Sequence, residues 1–411
     1  MPARSEAARP RDPRLDFFRG LGMFIIMVAH IPWSGWTEWL PSRFGFSDGA
    51  DMFVFCSGMA SAIAFGRVFD QAGWLLGAAR IAHRVWQVYW AHIGVFLVVT
   101  SLMLAGDAWF GGDHYVREEL ALMDFLAAPQ FYLPHLLTLT YVPVYFDILP
   151  MYIAILCMVP LAMALARVSP SLAMAASAAL WLAANLGLLE LSADPANART
   201  WFFNPFAWQL VFFTGFAFAR GWLPAPPRDW RLILAALALI VLAAPFACQD
   251  GFRCYAGYGY FPALGQIHEA LGALIAKHNL GALRYAHFLA TAYLAYLLAG
   301  EGGRNLMGGL ADLVRRVGQQ TLAVFLASLP VAQAMGMLMD YAGGRVTDAS
   351  ARGFWITAFA NLLGMALLVA VALTVSWFKS APWRRAQPAH DVAGDVARDA
   401  AREPVARPGA F

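Results

Sequence analysis

The sequence predicts an all-α, polytopic integral membrane protein of about ten transmembrane helices, with both termini cytoplasmic. Three observations carry that expectation. First, 60% of the 411 residues are hydrophobic and only 13% are charged, against roughly half apolar and a quarter charged in soluble domains. That much apolar surface exceeds what a soluble core can bury, and it excludes a disordered chain or a coiled coil. Second, ten segments have about the 20 mostly apolar residues that a bilayer-crossing helix needs. Third, the basic residues are distributed unequally. With the N-terminus placed inside, 21 of the 29 Lys and Arg fall on the inner side, as the positive-inside rule requires. The other eight are Arg43, Arg117, Arg199, Arg253, Lys277, Arg284, Arg345 and Arg352.

The ten segments are 15–33, 50–69, 85–105, 147–166, 171–190, 204–220, 231–247, 283–300, 317–340 and 354–378. The stretch 131–146 is apolar but short, and Pro134 and Pro143 break it. It is expected to be a re-entrant or surface-lying piece, since prolines interrupt the helical hydrogen-bond ladder. The first apolar run contains Asp16 and Arg19 and does not read as a signal peptide. The expected organisation is a cytoplasmic segment over 1–13, a membrane domain over 14–380 and a disordered cytoplasmic tail over 381–411. Cys248 and Cys254 flank a short loop on the expected outer face. In an oxidising compartment they form a disulfide, and otherwise they are two thiols.

The residues that do not suit lipid stand out against this background. The first span reads RLDFFRGLGMFIIMVAHIPW. Asp16 and Arg19 are i, i+3 neighbours that can pair. Arg19 and His30 are eleven residues apart, which places them within about 20° of one helix face and roughly 16 Å apart along the axis. Such a stripe must face protein or a wet cavity. The alternative reading makes Asp16 and Arg19 interfacial anchors and His30 an interhelical hydrogen-bond partner.

Further along, Asp48 and Asp51 sit at the outer end of the second span, where one of them suits an N-cap. Ser57 and Gly58 suit close helix packing. Arg80 and Arg84 precede the third span, either as a phosphate-binding pair or as positive-inside anchors. Asp147 opens the fourth span, with a capping role as its alternative. Asn204-Pro205 opens the sixth, as an N-cap with Pro at the first helical position. Trp33, Trp36 and Trp39 share one outer loop. Trp109, Phe110 and Tyr115 share another, and Tyr255, Tyr258, Tyr260 and Phe261 a third. These sets suit sugar stacking or an interfacial aromatic belt.

At these residues the chain resembles a known family. RLDFFRGLGMFIIMVAH resembles the opening motif of the acyltransferase-3 superfamily, an LDxLRG start with a histidine near the end of the first helix. DGADMFVFCSG resembles its second-helix motif, and the Arg80/Arg84 stretch its basic segment before the third helix. FDILPMYI, NPFAWQLVFFTG, LGALRYAHFLATAY and GQQTLAVF resemble the branch of osmoregulated periplasmic glucan succinyltransferases, the OpgC proteins. The resemblance spans roughly residues 12–380.

That resemblance implies transfer of a succinyl group from cytoplasmic succinyl-CoA, used as a cosubstrate, to a hydroxyl of a periplasmic glucan. The location implied is the bacterial inner membrane. The partners expected are acyl-CoA, a periplasmic glucan and the lipid bilayer. No resident cofactor, metal or nucleic acid is expected, and the oligomeric state is open. The family histidine maps onto His30 and the motif arginine onto Arg19.

Acyl transfer needs a base, oxyanion stabilisation and positioning of both substrates. An imidazole with a pKa near 6.5 suits the base, and His30 is assigned that role. Asp147 is the expected carboxylate partner of its ring, with Asp48 and Asp51 as alternatives. Asp16 lies too deep. Arg80 and Arg84 are expected to hold the CoA phosphates. Asp16 and Arg19 are expected to position the donor in the channel. Asp48, Asp51, Trp33 and Trp36 are expected on the acceptor side. Two other readings stay open: transfer of an acetyl or other acyl group, and a transporter using Asp16, Arg19 and His30 as a proton or ion relay. No inverted repeat is evident, which disfavours common transporter architectures.

Overall fold

The computed structural model describes residues 12–110, 115–116, 122–247, 262–343 and 351–384. Within them the chain is helical, and the one β-type pairing is an isolated antiparallel bridge between Ser192 and Thr200. The principal helices are α1 (Pro13–Ala29), α2 (Gly49–Gln71), α3 (Gly73–Phe110), α4 (Met123–Ala127), α5 (Pro129–Leu137), α6 (Ile148–Val168), α7 (Pro170–Asn185), α8 (Pro205–Arg220), α9 (Trp230–Ala243), α10 (Pro262–Ile275), α11 (Ala282–Ala299), α12 (Gly309–Gln319), α13 (Thr321–Tyr341) and α14 (Ala351–Lys379).

Each of the ten expected segments overlaps helical residues, the ninth of them two separate helices. Among the described residues, five helices are long and apolar enough to cross a membrane by length and composition: Gly49–Gln71, Gly73–Phe110, Ile148–Val168, Thr321–Tyr341 and Arg352–Lys379. Their outward faces carry exposed Leu75, Trp86, Leu97, Leu161 and Phe359, the kind of apolar surface that lipid covers. The expected ninth span, 317–340, is corrected at its start. Gln320 (φ −112°, ψ 33°) interrupts the helix there. The residues before it form α12, a separate helix with Asp312, Arg315 and Arg316 on it.

Local chemistry explains the helix starts. Asp12 caps α1 by accepting from the Arg14 N–H at 2.9 Å, and Pro13 fills the first position. Asp48 and Asp51 form a capping box at the start of α2. The Asn204 side chain accepts from the Phe206 N–H at 3.0 Å, with Pro205 following, as the sequence predicts for α8. Residues 131–146 do not form a span. α5 ends at Leu137, and the chain then runs irregularly to Asp147. Val142 is held there by hydrogen bonds from its N–H to the Ala193 carbonyl and to its carbonyl from Arg199.

The bundle is drawn together at glycines. A Cβ on Gly58 of α2 would strike the Phe212 carbonyl of α8, and one on Gly215 of α8 would strike the Phe55 carbonyl of α2. The same reciprocal contact joins α1 and α12: Gly20 faces the Val314 carbonyl and Gly318 faces the Asp16 carbonyl. Backbones this close gain dispersion contacts that larger side chains would forbid, a common device in membrane bundles. The main apolar core centres on Met23, Met27, Phe212 and Phe216, while Phe96, Met103 and Tyr141 anchor a second cluster beside α3.

Candidate functional site

The site is built on the last turn of α1. His30 closes that helix, and its N–H bonds the Ile26 and Met27 carbonyls at 3.1 and 3.0 Å. Gln333 of α13, itself buried, donates from Nε2 to the His30 carbonyl at 3.3 Å. The imidazole meets the Tyr145 ring edge-on, with centroids 5.1 Å apart. Its Nδ1 is buried and makes no hydrogen bond. Trp33 and Tyr145 both hold left-handed backbone, at φ 56° and φ 70°. That conformation costs an L-residue on the order of 1–3 kcal/mol and persists only where the surroundings enforce it, most often at functional sites.

Beside the end of α1 lies a cluster of carboxylates and cations. Gly49 packs against Ile25 and Ile26, which brings the start of α2 to the last turns of α1. Arg284 of α11 is fully buried and clamps Asp51 through Nε at 3.1 Å and Nη2 at 2.5 Å. Its Nη1 donates to the Phe46 carbonyl at 2.6 Å, and its face lies 5.6 Å from the Trp208 ring centroid. Nη2 also reaches Asp48 at 3.1 Å. Lys277 completes the set with an ion pair to Asp48 at 2.7 Å. Burial works against ionisation of Asp48, but Lys277 and Arg284 outweigh it and hold that carboxyl below the usual carboxylate range. Lys277 and Asp48 both act electrostatically on the His30 ring, and Lys277 also acts on Asp147.

Lys277 reaches this position because its loop is held by its carbonyls. Residues 276–281 connect α10 to α11. The Trp208 indole donates to the Lys277 carbonyl at 2.9 Å, and the Asn204 N–H donates to the His278 carbonyl at 3.1 Å. Asn185 donates to the Asn279 carbonyl at 2.9 Å, and the Trp181 indole to the Leu280 carbonyl at 2.9 Å. Four successive acceptors are thus satisfied by α7, α8 and the residue that caps α8, as buried backbone requires. Leu280 adopts φ 47° within this turn.

The expected site residues fall into two groups. His30, Asp48 and Asp51 gather where the end of α1 meets the start of α2, and Asp147 stands two residues beyond Tyr145, whose ring packs on His30. The expected hydrogen bond between Asp147 and the His30 ring is not made: the Asp147 carboxylate accepts instead from the Phe202 N–H at 3.3 Å, and it does not cap its own helix. Asp147 has helical backbone angles (φ −71°, ψ −30°) where a capping residue is normally extended. Asp48 and Asp51 cap α2 and also bind the two cations.

The remaining residues lie elsewhere. Asp16 is buried and Arg19 half-buried near the opposite end of α1, where it packs on α12. Arg80 is exposed on α3, and Arg84 bonds Gln87 at 3.2 Å on the same helix. Trp33 and Trp36 are half-buried packing residues, and Trp39 carries the exposed ring of that loop. Cys248, Cys254 and the aromatic set 255–261 lie outside the described residues.

Several members of the site escape sequence reasoning. Lys277 and Arg284 read as two outer-face cations, and Arg284 stands inside the LGALRYAHFLATAY string. Their signal was the cost of a cation so near an apolar run. His92 of α3 is fully buried with neither ring nitrogen bonded, and it packs against Phe146 with centroids 6.4 Å apart. Gln333 and Asn361 bring buried amides to the same end of the bundle, and Asn361 donates to the Ser34 hydroxyl at 2.9 Å. An isolated amide in a 20-residue apolar helix gives no hint of what it faces.

Comparison with known proteins agrees with the sequence resemblance at the level of the family. A family model described as OpgC protein matches residues 11–380. No curated protein and no solved structure matches the chain. The match covers most of the chain, which belongs to the OpgC family.

Proposed function

We propose that this OpgC-family chain is a membrane-bound O-acyltransferase that takes the succinyl group of succinyl-CoA at the cytoplasmic face of the inner membrane and passes it to a hydroxyl of a periplasmic glucan. The observation that carries the reading is His30: a histidine fixed at a helix end, with one ring nitrogen left unbonded and an ion-pair cluster beside it. A positioned imidazole with a free ring nitrogen is suited to take a hydroxyl proton. The deprotonated sugar oxygen attacks the thioester carbonyl and forms the ester C–O bond. The C–S bond breaks, and the departing thiolate receives the proton back from the imidazolium.

The other residues take supporting roles in this reading. Arg80 and Arg84 hold the CoA phosphates. From Arg84 to the level of Phe96, which packs against Phe146, is roughly 18 Å of helix. An extended pantetheine arm spans such a distance. Asp16 and Arg19 line its way along α1. The outer aromatics receive the glucan.

The test uses purified full-length protein in proteoliposomes with labelled succinyl-CoA and a periplasmic glucan. Label is expected to become covalently attached to the glucan with wild type and to fail to do so with His30→Ala. Label that crosses the bilayer without attachment overturns the reading in favour of transport. Mass spectrometry of glucan from a deletion strain identifies the group: loss of a succinyl mass supports the proposal, and loss of an acetyl mass replaces the donor.

A further inference from the structure

The two cations of the cluster differ in what their departure would cost. Arg284 is fully buried and shared between Asp48 and Asp51. Moving it would strand two carboxylates away from water, which is strongly unfavourable. Lys277 is different. Its side chain is 24% exposed, and its ion pair is to Asp48 Oδ2. That same oxygen keeps Arg284 Nη2 at 3.1 Å, and Oδ1 keeps the Ala50 N–H at 2.8 Å. Asp48 therefore stays paired and hydrogen-bonded when Lys277 leaves it.

Lys277 also has somewhere to go. Its Cα is fixed, because the carbonyls of residues 277–280 are all held by neighbouring side chains or N–H groups. Its ammonium sits on a flexible four-carbon stem that can swing about that fixed point. Phe202 and Phe203 lie beneath it, with ring centroids 5.7 and 5.5 Å away. Aromatic faces stabilise a cation whose carboxylate partner is changing. The segment before α6 carries Tyr145 against His30 and Asp147 against the Phe202 N–H, so the lysine and the imidazole border one region.

We propose that Lys277 is a specificity-determining residue that trades Asp48 for the free carboxylate of a dicarboxylic acyl donor bound next to His30. This inference rests on the acyltransferase reading and adds the group that would recognise the acyl chain. An acyl group without a distal carboxylate offers Lys277 nothing in exchange for Asp48. A carboxylate-bearing one replaces one charge-assisted bond with another.

The test compares succinyl-CoA with butyryl-CoA, a thioester of equal chain length carrying a methyl where succinyl carries its carboxylate. Affinities are measured on full-length protein in nanodiscs. Wild type is expected to prefer succinyl-CoA. Lys277→Met is expected to cut the succinyl-to-butyryl affinity ratio by about 10- to 100-fold, the usual worth of a hydrogen bond to a charged group. Lys277→Arg is expected to restore part of the ratio. Asp48→Asn removes the competing carboxylate while keeping a residue that caps well, and it is expected to raise the ratio. Damage to the fold would not produce that opposite shift.

A wild type that prefers succinyl, with all three variants leaving the ratio unchanged, overturns the role of Lys277 and leaves the acyltransferase reading standing. A wild type that binds both thioesters equally does the same. A wild type that binds neither overturns the acyl-donor reading, and this inference with it.

Discussion

Arg284 and Asp51 lie 233 positions apart in the chain and meet in a two-pronged ion pair with no solvent exposure on either side chain. The pair ties α11 to the start of α2. Burying both charges is costly, and the fork geometry together with the Phe46 carbonyl offsets that cost only while every partner is present. Arg284→Met leaves Asp51 buried without its principal cation. The loss expected is about 3–5 kcal/mol, seen as a lower thermal unfolding temperature in detergent. Arg284→Met/Asp51→Leu is expected to recover part of it. A single variant as stable as wild type would show that the pair is not holding α11 to α2.

His30→Ala is expected to lower acyl transfer by at least about 100-fold, the lower end of what a positioned general base contributes. The backbone bonds that close α1 do not use the imidazole, so the variant should remain folded and membrane-inserted. Transfer at near-normal rate would remove His30 from the chemistry.

Asp147→Asn keeps an oxygen that can accept from the Phe202 N–H, so the variant is expected to remain folded. Transfer is expected to fall at least tenfold, through loss of a carboxylate that can stabilise the imidazolium. An unchanged rate would pass that role to Asp48, the carboxylate that acts electrostatically on His30 in the structure.

The glycine contacts give a packing test with a built-in control. Gly58→Val and Gly318→Val each place a side chain against a backbone carbonyl of the neighbouring helix. Overpacking of this kind costs about 1–3 kcal/mol, and folded yield in detergent should drop for both. Gly94→Ala on α3 meets nothing within 4 Å and is expected to be neutral or to stabilise by up to about 1 kcal/mol, as Ala favours helix. Equal yields for all three would mean that α2–α8 and α1–α12 are not in close contact.

Much of the architecture was legible in the sequence because it depends on local chemistry and on solvent. Apolar runs of the right length mark helices wherever they sit. Asn204-Pro205 marks the start of α8, and Asp48 that of α2, because capping is settled by residues adjacent in the chain. Prolines and shortness kept 131–146 from being read as a span. α10 and α12 went unread, because helices of 14 and 11 residues fall short of the roughly 20 residues that mark a span.

The candidate site divides in the same way. His30, Asp48, Asp51 and Asp147 stood out because polar groups in an apolar chain are costly to retain, and that cost is visible one residue at a time. Which of them meet was decided by the tertiary structure. Asp147 accepts from the Phe202 N–H and makes no hydrogen bond to the imidazole. Lys277 arrived beside Asp48 because Trp208, Asn204, Asn185 and Trp181 hold its loop by successive carbonyls. By itself the sequence determined that this chain is a helical membrane protein with a histidine at the end of its first helix. Only the packed bundle decided which cations face that histidine's neighbours, because a desolvated charge takes its partner from whatever the fold brings within reach, however far apart the two stand in the chain.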